Sequence, residues 1–147
     1  MNRRSNNPAR ILVVDDDPDT VDILSRHLQR EGFVAIEALC GSDCLRIARE
    51  SDVDVILLDL MMPGMDGFQV CQQLRIDPKT AEIPIILVTA RDDIEARAEG
   101  IRVGASEFLT KPFSRRQLVA RINSPLNLLD AARTTKAILN RLGRTEE

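Results

Sequence analysis

Apolar residues gather in five short runs separated by longer amphipathic stretches. The runs are Arg10–Val14 (RILVV), Val34–Leu39, Val53–Leu58 (VDVILL), Ile83–Val88 (IPIILV) and Ser106–Thr110 (SEFLT). The strongest are apolar at successive positions instead of alternating, the pattern of strands covered by helices on both faces. The second is weaker, because Ala and Glu interrupt it. The stretches between carry helix starts and stops. Asp17-Pro18 reads as an N-cap with proline at the first helical position, followed by a Val21, Leu24, Leu28 stripe and a stop at Gly32. Ser42 is placed to cap a helix carrying Leu45, Ile47 and Ala48. Asp66-Gly67 opens a helix with Phe68, Val70, Cys71 and Leu74, closed by Asp77-Pro78. Asp92 or Asp93 caps the next, with Ile94, Ala98 and Ile101 as its core stripe and Gly104 as its stop. Ser114 caps the last, which carries Leu118, Val119 and Ile122. Five strand–helix alternations predict an α/β domain built on a parallel sheet with right-handed crossovers.

The rhythm changes after Ile122. Ser124-Pro125 is a second cap-plus-proline signal, so a helix restarts or kinks there. Leu128, Ala131, Thr135, Ile138 and Leu142 then recur at heptad-like spacing. That seam fits a helix packing back on its own domain, or a dimer or linker helix; both readings stay open. The predicted organisation is a disordered arm over 1–9, a domain over 10–124 and a helical extension over 125–147.

Charge sharpens this division. The net charge of −3 conceals 13 basic against 20 acidic residues in 1–113, and 7 against 3 in 114–147. A basic tail on an acidic body points to a contact of its own. Seven charges without a motif, and a chain with no Trp or Tyr, make a poor case for nucleic acid. No apolar run approaches the length of a membrane span. The three cysteines (Cys40, Cys44, Cys71) form no CxxC pair and read as reduced thiols of a cytoplasmic protein.

The chemistry-bearing residues are not scattered. Asp15 and Asp16, Asp59, Thr89 and Lys111 follow the carboxyl ends of the first, third, fourth and fifth runs. In an open α/β sheet those ends form the ligand crevice. Two carboxylates a few Å apart repel by about 4 kcal/mol at an effective dielectric of 20. A cation must therefore sit among them: Lys111 in part, and a hard divalent ion such as Mg²⁺ more completely. A carboxylate beside such an ion, with a lysine and a hydroxyl, suits attack on a phosphoryl group to give an aspartyl phosphate.

ILVVDDDP (11–18), DVILLDLMMPGMDG (54–67), PIILVTA (84–90) and FLTKPF (108–113) together resemble the receiver domain of bacterial two-component response regulators over about residues 10–124. The resemblance implies a flavodoxin-like (βα)5 doubly wound parallel sheet of order 2-1-3-4-5. It implies that Asp59 is the phospho-acceptor, that Asp15 and Asp16 bind the metal with Asp59, and that the backbone carbonyl of Met61 completes the metal site. Thr89 matches the switch hydroxyl, Phe108 the switch aromatic that turns inward, and Lys111 the phosphate-contacting lysine, followed by a cis bond to Pro112. The implied cofactor is Mg²⁺, with Mn²⁺ as a substitute. The implied partners are a sensor histidine kinase or phosphotransfer protein and a downstream target or effector domain. A homodimer would form through the fourth helix, fifth strand and fifth helix, or through the 125–142 helix. Such a protein is a signalling domain, not an enzyme acting on other substrates. Met61 and Arg91 flank the expected phosphate and are candidates for tuning its hydrolysis.

Other readings meet specific obstacles. Asp17-Pro18-Asp19-Thr20-Val21 fits the DxDxV pattern of haloacid-dehalogenase-like phosphatases. There the first Asp directly follows a strand, whereas here Pro18 already starts a helix. A flavodoxin-like cofactor site wants a Ser/Thr/Gly-rich phosphate loop, and three aspartates repel an anion. A phosphorylation-independent pseudo-receiver is the alternative from another class; such proteins usually lack an acid, the threonine or the lysine, and all are present. Asp17 reads as an N-cap only, and His27 as a boundary residue. The 20 or so residues after the receiver-like part are too few for a helix-turn-helix or cyclase domain, so the chain reads as a stand-alone receiver or as the front of a longer regulator.

Overall fold

The structure is a computed structural model that describes residues 7–91 and 93–146, with side chains at 129–134, 137 and 140–146 left aside. The strands are β1 (Arg10–Val14), β2 (Val34–Ala38), β3 (Val55–Asp59), β4 (Ile85–Thr89) and β5 (Glu107–Thr110). The helices are α1 (Pro18–Arg30), α2 (Gly41–Glu50), α3 (Gly67–Ile76), α4 (Ile94–Arg102) and α5 (Arg115–Glu146). The strands form one sheet of order β2-β1-β3-β4-β5, every pair parallel. This is the predicted doubly wound architecture, and all five apolar runs became strands.

Side chains alternate across the sheet, so each central strand feeds two cores. Ile11, Val13, Val55, Leu57, Ile86 and Val88 pack with Val21, Leu24 and Leu28 of α1 and with Leu118, Ile122 and Leu126 of α5. Leu12, Val14, Ile56, Leu58, Ile85 and Leu87 pack with Cys44 and Ala48 of α2, Val70, Cys71 and Leu74 of α3, and Ala96 of α4. Each fully buried aliphatic side chain contributes about 1.5–3 kcal/mol. Burial on both faces explains why β1, β3 and β4 read as unbroken apolar runs.

Most caps follow the sequence. Asp17 accepts from Asp19 N and Pro18 takes the first turn of α1. Asp66 and Gln69 form a capping box on α3, and Ser114 and Gln117 exchange bonds at the start of α5. Asp93, not Asp92, caps α4 by accepting from Ala96 N; Asp92 lies outside the described residues.

Three expectations need correction. Ser42 does not cap α2: Cys40 holds that position without a side-chain bond, and the helix begins at Gly41. A Cβ at Gly41 would come within 2.9 Å of Val70 Cγ2, so the tight approach of α2 to α3 sets the start. The stripe expected to bury α4 faces outward, with Ile94 87% and Ile101 76% exposed and Ala98 also exposed. The helix buries its small side instead, Ala96 and Gly100, because a Cβ at Gly100 would lie 2.4 Å from the Phe108 ring. The third concerns boundaries. Ala9, assigned to a disordered arm, is buried and its carbonyl accepts from Val34 N; residues 1–6 lie outside the described residues. At the other end α5 runs through Pro125 without restarting, and Leu126 belongs to the core.

Beyond Leu126, Leu128, Ile138 and Leu139 are exposed, as is Thr135. The described seam positions among these, Leu128, Thr135 and Ile138, do not pack back on the domain; Ala131 and Leu142 fall among the side chains not described. Among the described residues no helix is long and apolar enough to cross a membrane.

Candidate functional site

The parallel sheet delivers its polar residues to one edge. Asp15 directly follows β1, Asp59 ends β3, Thr89 ends β4 and Lys111 directly follows β5. The register pairs Asp59 with Val88, so Thr89 is the next residue along β4, and strands this close stand about 4.8 Å apart. Lys111 N donates to Thr89 O at 2.8 Å, which keeps the chain after β5 beside β4. The Lys111-Pro112 peptide is cis, as expected. Gly67 lets the start of α3 close over the end of β3: a Cβ there would lie 2.8 Å from Asp59 O, and Gly67 N donates to Leu60 O.

Asp15, Asp16 and Asp59 each present a carboxylate oxygen within 4.8 Å of the others. Asp15 and Asp59 are buried and Asp16 is exposed. Lys111 Nζ lies 3.3 Å from Asp59 Oδ1 and 3.6 Å from Asp15 Oδ2. Asp15 Oδ1 also accepts from Asp17 N at 3.0 Å. Burial, the largest effect, pushes the Asp59 carboxyl above its ordinary range; the neighbouring Asp15 charge adds to this and Lys111 opposes it. Asp15 is raised for the same first reason, with its bond to Asp17 N and Lys111 pulling the other way. One lysine does not balance the cluster. Three hard oxygen donors, two of them desolvated and carrying unbalanced charge, fit a hard divalent cation.

Thr89 is buried, and its hydroxyl accepts from Arg91 N at 3.0 Å. Phe108 is inward: the residue is 9% exposed, and its ring packs on Gly100 and lies under the Arg97 guanidinium, 5.3 Å from the ring centroid. In this structure the ring is inward because Gly100 leaves it room and Arg97 covers it; the turn expected of it on phosphorylation is a change between two states. A cavity of about 260 Å³ opens beside it, lined by Arg97, Ile101, Glu107, Phe108 and Arg121 among others. Met61 projects its side chain outward, 62% exposed, at the mouth of the loop after β3. His27 is half-buried, a boundary residue as read.

Arg97 is the residue that sequence reasoning missed. It lies among charged positions of α4, and nothing local marks it as the cover of an aromatic ring on another element.

Comparison with known proteins agrees with this geometry. The family model described as the response regulator receiver domain matches residues 11–123. Response regulator PleD of Caulobacter vibrioides is 44% identical over 138 residues, covering 92% of this chain and 30% of its own length. The DNA-binding dual master transcriptional regulator RpaA of Synechocystis is 40% identical over 121 residues, covering 82% of this chain and 50% of its own. The chain thus spans 30% to 50% of the length of these relatives. Among solved structures, the chemotaxis protein CheY4 of Vibrio cholerae superposes with a TM-score of 0.77 at 32% identity, covering 80% of this chain and 98% of that one. A Francisella response regulator receiver domain superposes at 0.76 with 32% identity, covering 84% and 99%.

Proposed function

The chain belongs to the response regulator receiver domain family, and from that premise we propose that Asp59 accepts a phosphoryl group in an Mg²⁺-dependent step and so switches a protein-binding surface. The donor is the phosphohistidine of a sensor kinase or phosphotransfer protein in a two-component pathway, and the compartment is the cytoplasm. The observation that carries this reading is the convergence of Asp15, Asp16, Asp59 and Lys111 on one sheet edge.

Asp15, Asp16 and Asp59, with the main-chain carbonyl of Met61, would hold the ion; Mn²⁺ would serve the same donors. When bound, it supplies positive charge to the phosphoryl oxygens. An Asp59 carboxylate oxygen attacks phosphorus, the phosphorus–nitrogen bond of the donor breaks, and the imidazole leaves with the bonding pair and is protonated. Lys111 neutralises charge that develops on the transferring group, from a position already within 3.3 Å of Asp59. Thr89 gives up Arg91 N and donates its hydroxyl to a phosphoryl oxygen. Its movement re-sets the β4–α4 loop and vacates space into which Phe108, already inward here, can settle further.

The output surface is the α4–β5–α5 face, where the exposed Ile94–Ala98–Ile101 stripe runs beside the Phe108 cavity. It serves a downstream target, an effector domain or a second copy, with the exposed part of α5 as a further self-association surface. Incubation with Mg²⁺ and a small phosphodonor, followed by intact-mass and peptide mapping, tests the assignment. Wild type gains one phosphoryl group on Asp59, and Asp59→Asn gains none. Labelling of the variant at another residue would overturn the choice of acceptor.

A further inference from the structure

Arg91 and Asp93 sit in the loop from β4 to α4, beside the site. The main-chain N–H of Arg91 donates to the Thr89 hydroxyl at 3.0 Å, so its backbone is folded against the group assigned to the phosphoryl oxygen. Its guanidinium is engaged by Asp93 at two points, Nε to Oδ2 at 3.2 Å and the terminal nitrogen to Oδ1 at 3.3 Å. Asp93 does a second thing: it caps α4 by accepting from Ala96 N at 2.7 Å. That bond first, and Arg91 after it, hold its carboxyl below the usual range. The next residue is Ile94, which opens the exposed apolar stripe.

Two charges decide what this arrangement can do. Lys111 already serves two buried carboxylates, Asp59 and Asp15. With a doubly charged phosphoryl group on Asp59, the site carries four negative charges (two on the phosphoryl group, one each on Asp15 and Asp16) against about three positive ones from Lys111 and a divalent ion, so one remains unbalanced. Arg91, two residues along the chain from Thr89, is a cation at the rim of the site, and its guanidinium is suited to two-point bonding of phosphoryl oxygens. The Arg91–Asp93 pair is a surface pair, with side chains 43% and 51% exposed, so solvent weakens it and a doubly charged competitor displaces it.

We propose that Asp93 holds Arg91 in reserve, and that Arg91 leaves Asp93 for the phosphoryl oxygens when Asp59 is modified. This rests on the reading of Asp59 as acceptor. The exchange links acceptance directly to the start of α4: the residue that loses Arg91 is the cap of the helix that displays the apolar stripe.

Calorimetric titration of the full chain with beryllium fluoride in saturating Mg²⁺ tests the exchange. Asp93→Asn keeps a good N-cap but removes the competing charge. It should tighten beryllofluoride binding about 2- to 5-fold, the range expected of a surface pair. Arg91→Gln should weaken binding by about 5-fold. In the Arg91→Gln background, Asp93→Asn should change nothing. A tightening that persists without Arg91 would show a general charge effect and overturn the proposal, as would wild-type affinity in Arg91→Gln. Failure of wild type itself to bind beryllofluoride would instead overturn the Asp59 reading, on which the exchange depends.

Discussion

Asp59→Asn should make the protein more stable without Mg²⁺ while removing its proposed activity. Asp59 and Asp15 are buried with carboxylate oxygens no more than 4.8 Å apart, a repulsion of about 3.5 kcal/mol at an effective dielectric of 20. Asp16 is exposed and adds about 0.9 kcal/mol at the dielectric of water. Lys111 at 3.3 Å returns about 5 kcal/mol on the first scale, less once its own one-third exposure is allowed for. The charge terms nearly cancel, so the desolvation of the Asp59 carboxylate decides the sign. A buried ion keeps a penalty of several kcal/mol after relaxation, and asparagine retains an acceptor for Lys111. A net gain on the order of 1 kcal/mol follows, or about 3–5 °C in melting temperature for a domain of this size. The pH dependence has a definite sign. A carboxyl raised on folding favours the folded state while protonated, and that contribution is lost as pH rises through its raised value. The variant's advantage should therefore be larger at pH 7 than at pH 4 and vanish as the pH falls to the ordinary value of 3.8. Mg²⁺ should reverse the order: at a hundredfold excess over its dissociation constant it stabilises wild type by about 2.7 kcal/mol, and the variant by less. Paired thermal melts at pH 4 and pH 7, with and without Mg²⁺, measure all of this. A variant that melts below wild type at pH 7 without Mg²⁺ would refute the account of the acidic cluster.

Two further outcomes test the packing around the site. Gly100→Ala places a Cβ 2.4 Å from the Phe108 ring, so the usual helical gain of about 1 kcal/mol should be overtaken by an overpacking cost of about 1–3 kcal/mol; a chemical melt in which the variant is the more stable would contradict the inward ring. Burial pushes the Cys44 thiol up to about 12 and the Cys71 thiol up to about 11, so at pH 8 an alkylating reagent should mark Cys40 first and reach the other two only on unfolding. Fast labelling of Cys44 in the folded protein would show that α2 does not lie on the sheet as described.

Much of this protein was decided locally. Strands buried on both faces must be apolar at successive positions, so β1, β3 and β4 announced themselves. Because a parallel sheet sends every carboxyl end to one edge, strand order along the chain already places Asp15, Asp59, Thr89 and Lys111 at a common crevice. Periodicity, however, identifies a stripe without saying which side of the helix meets the sheet. On α4 the large residues Ile94 and Ile101 formed the visible stripe, yet Ala96 and Gly100 face inward, because only the small side fits against Phe108. The same limit hid Arg97 over that ring and the burial of Ala9 and Leu126 at the domain's ends. Sequence by itself determined the strands, their direction and the residues of the crevice, since those follow from burial and connection length. Tertiary structure alone decided which face of α4 is free and where α5 leaves the body, since both depend on the shape of what lies opposite.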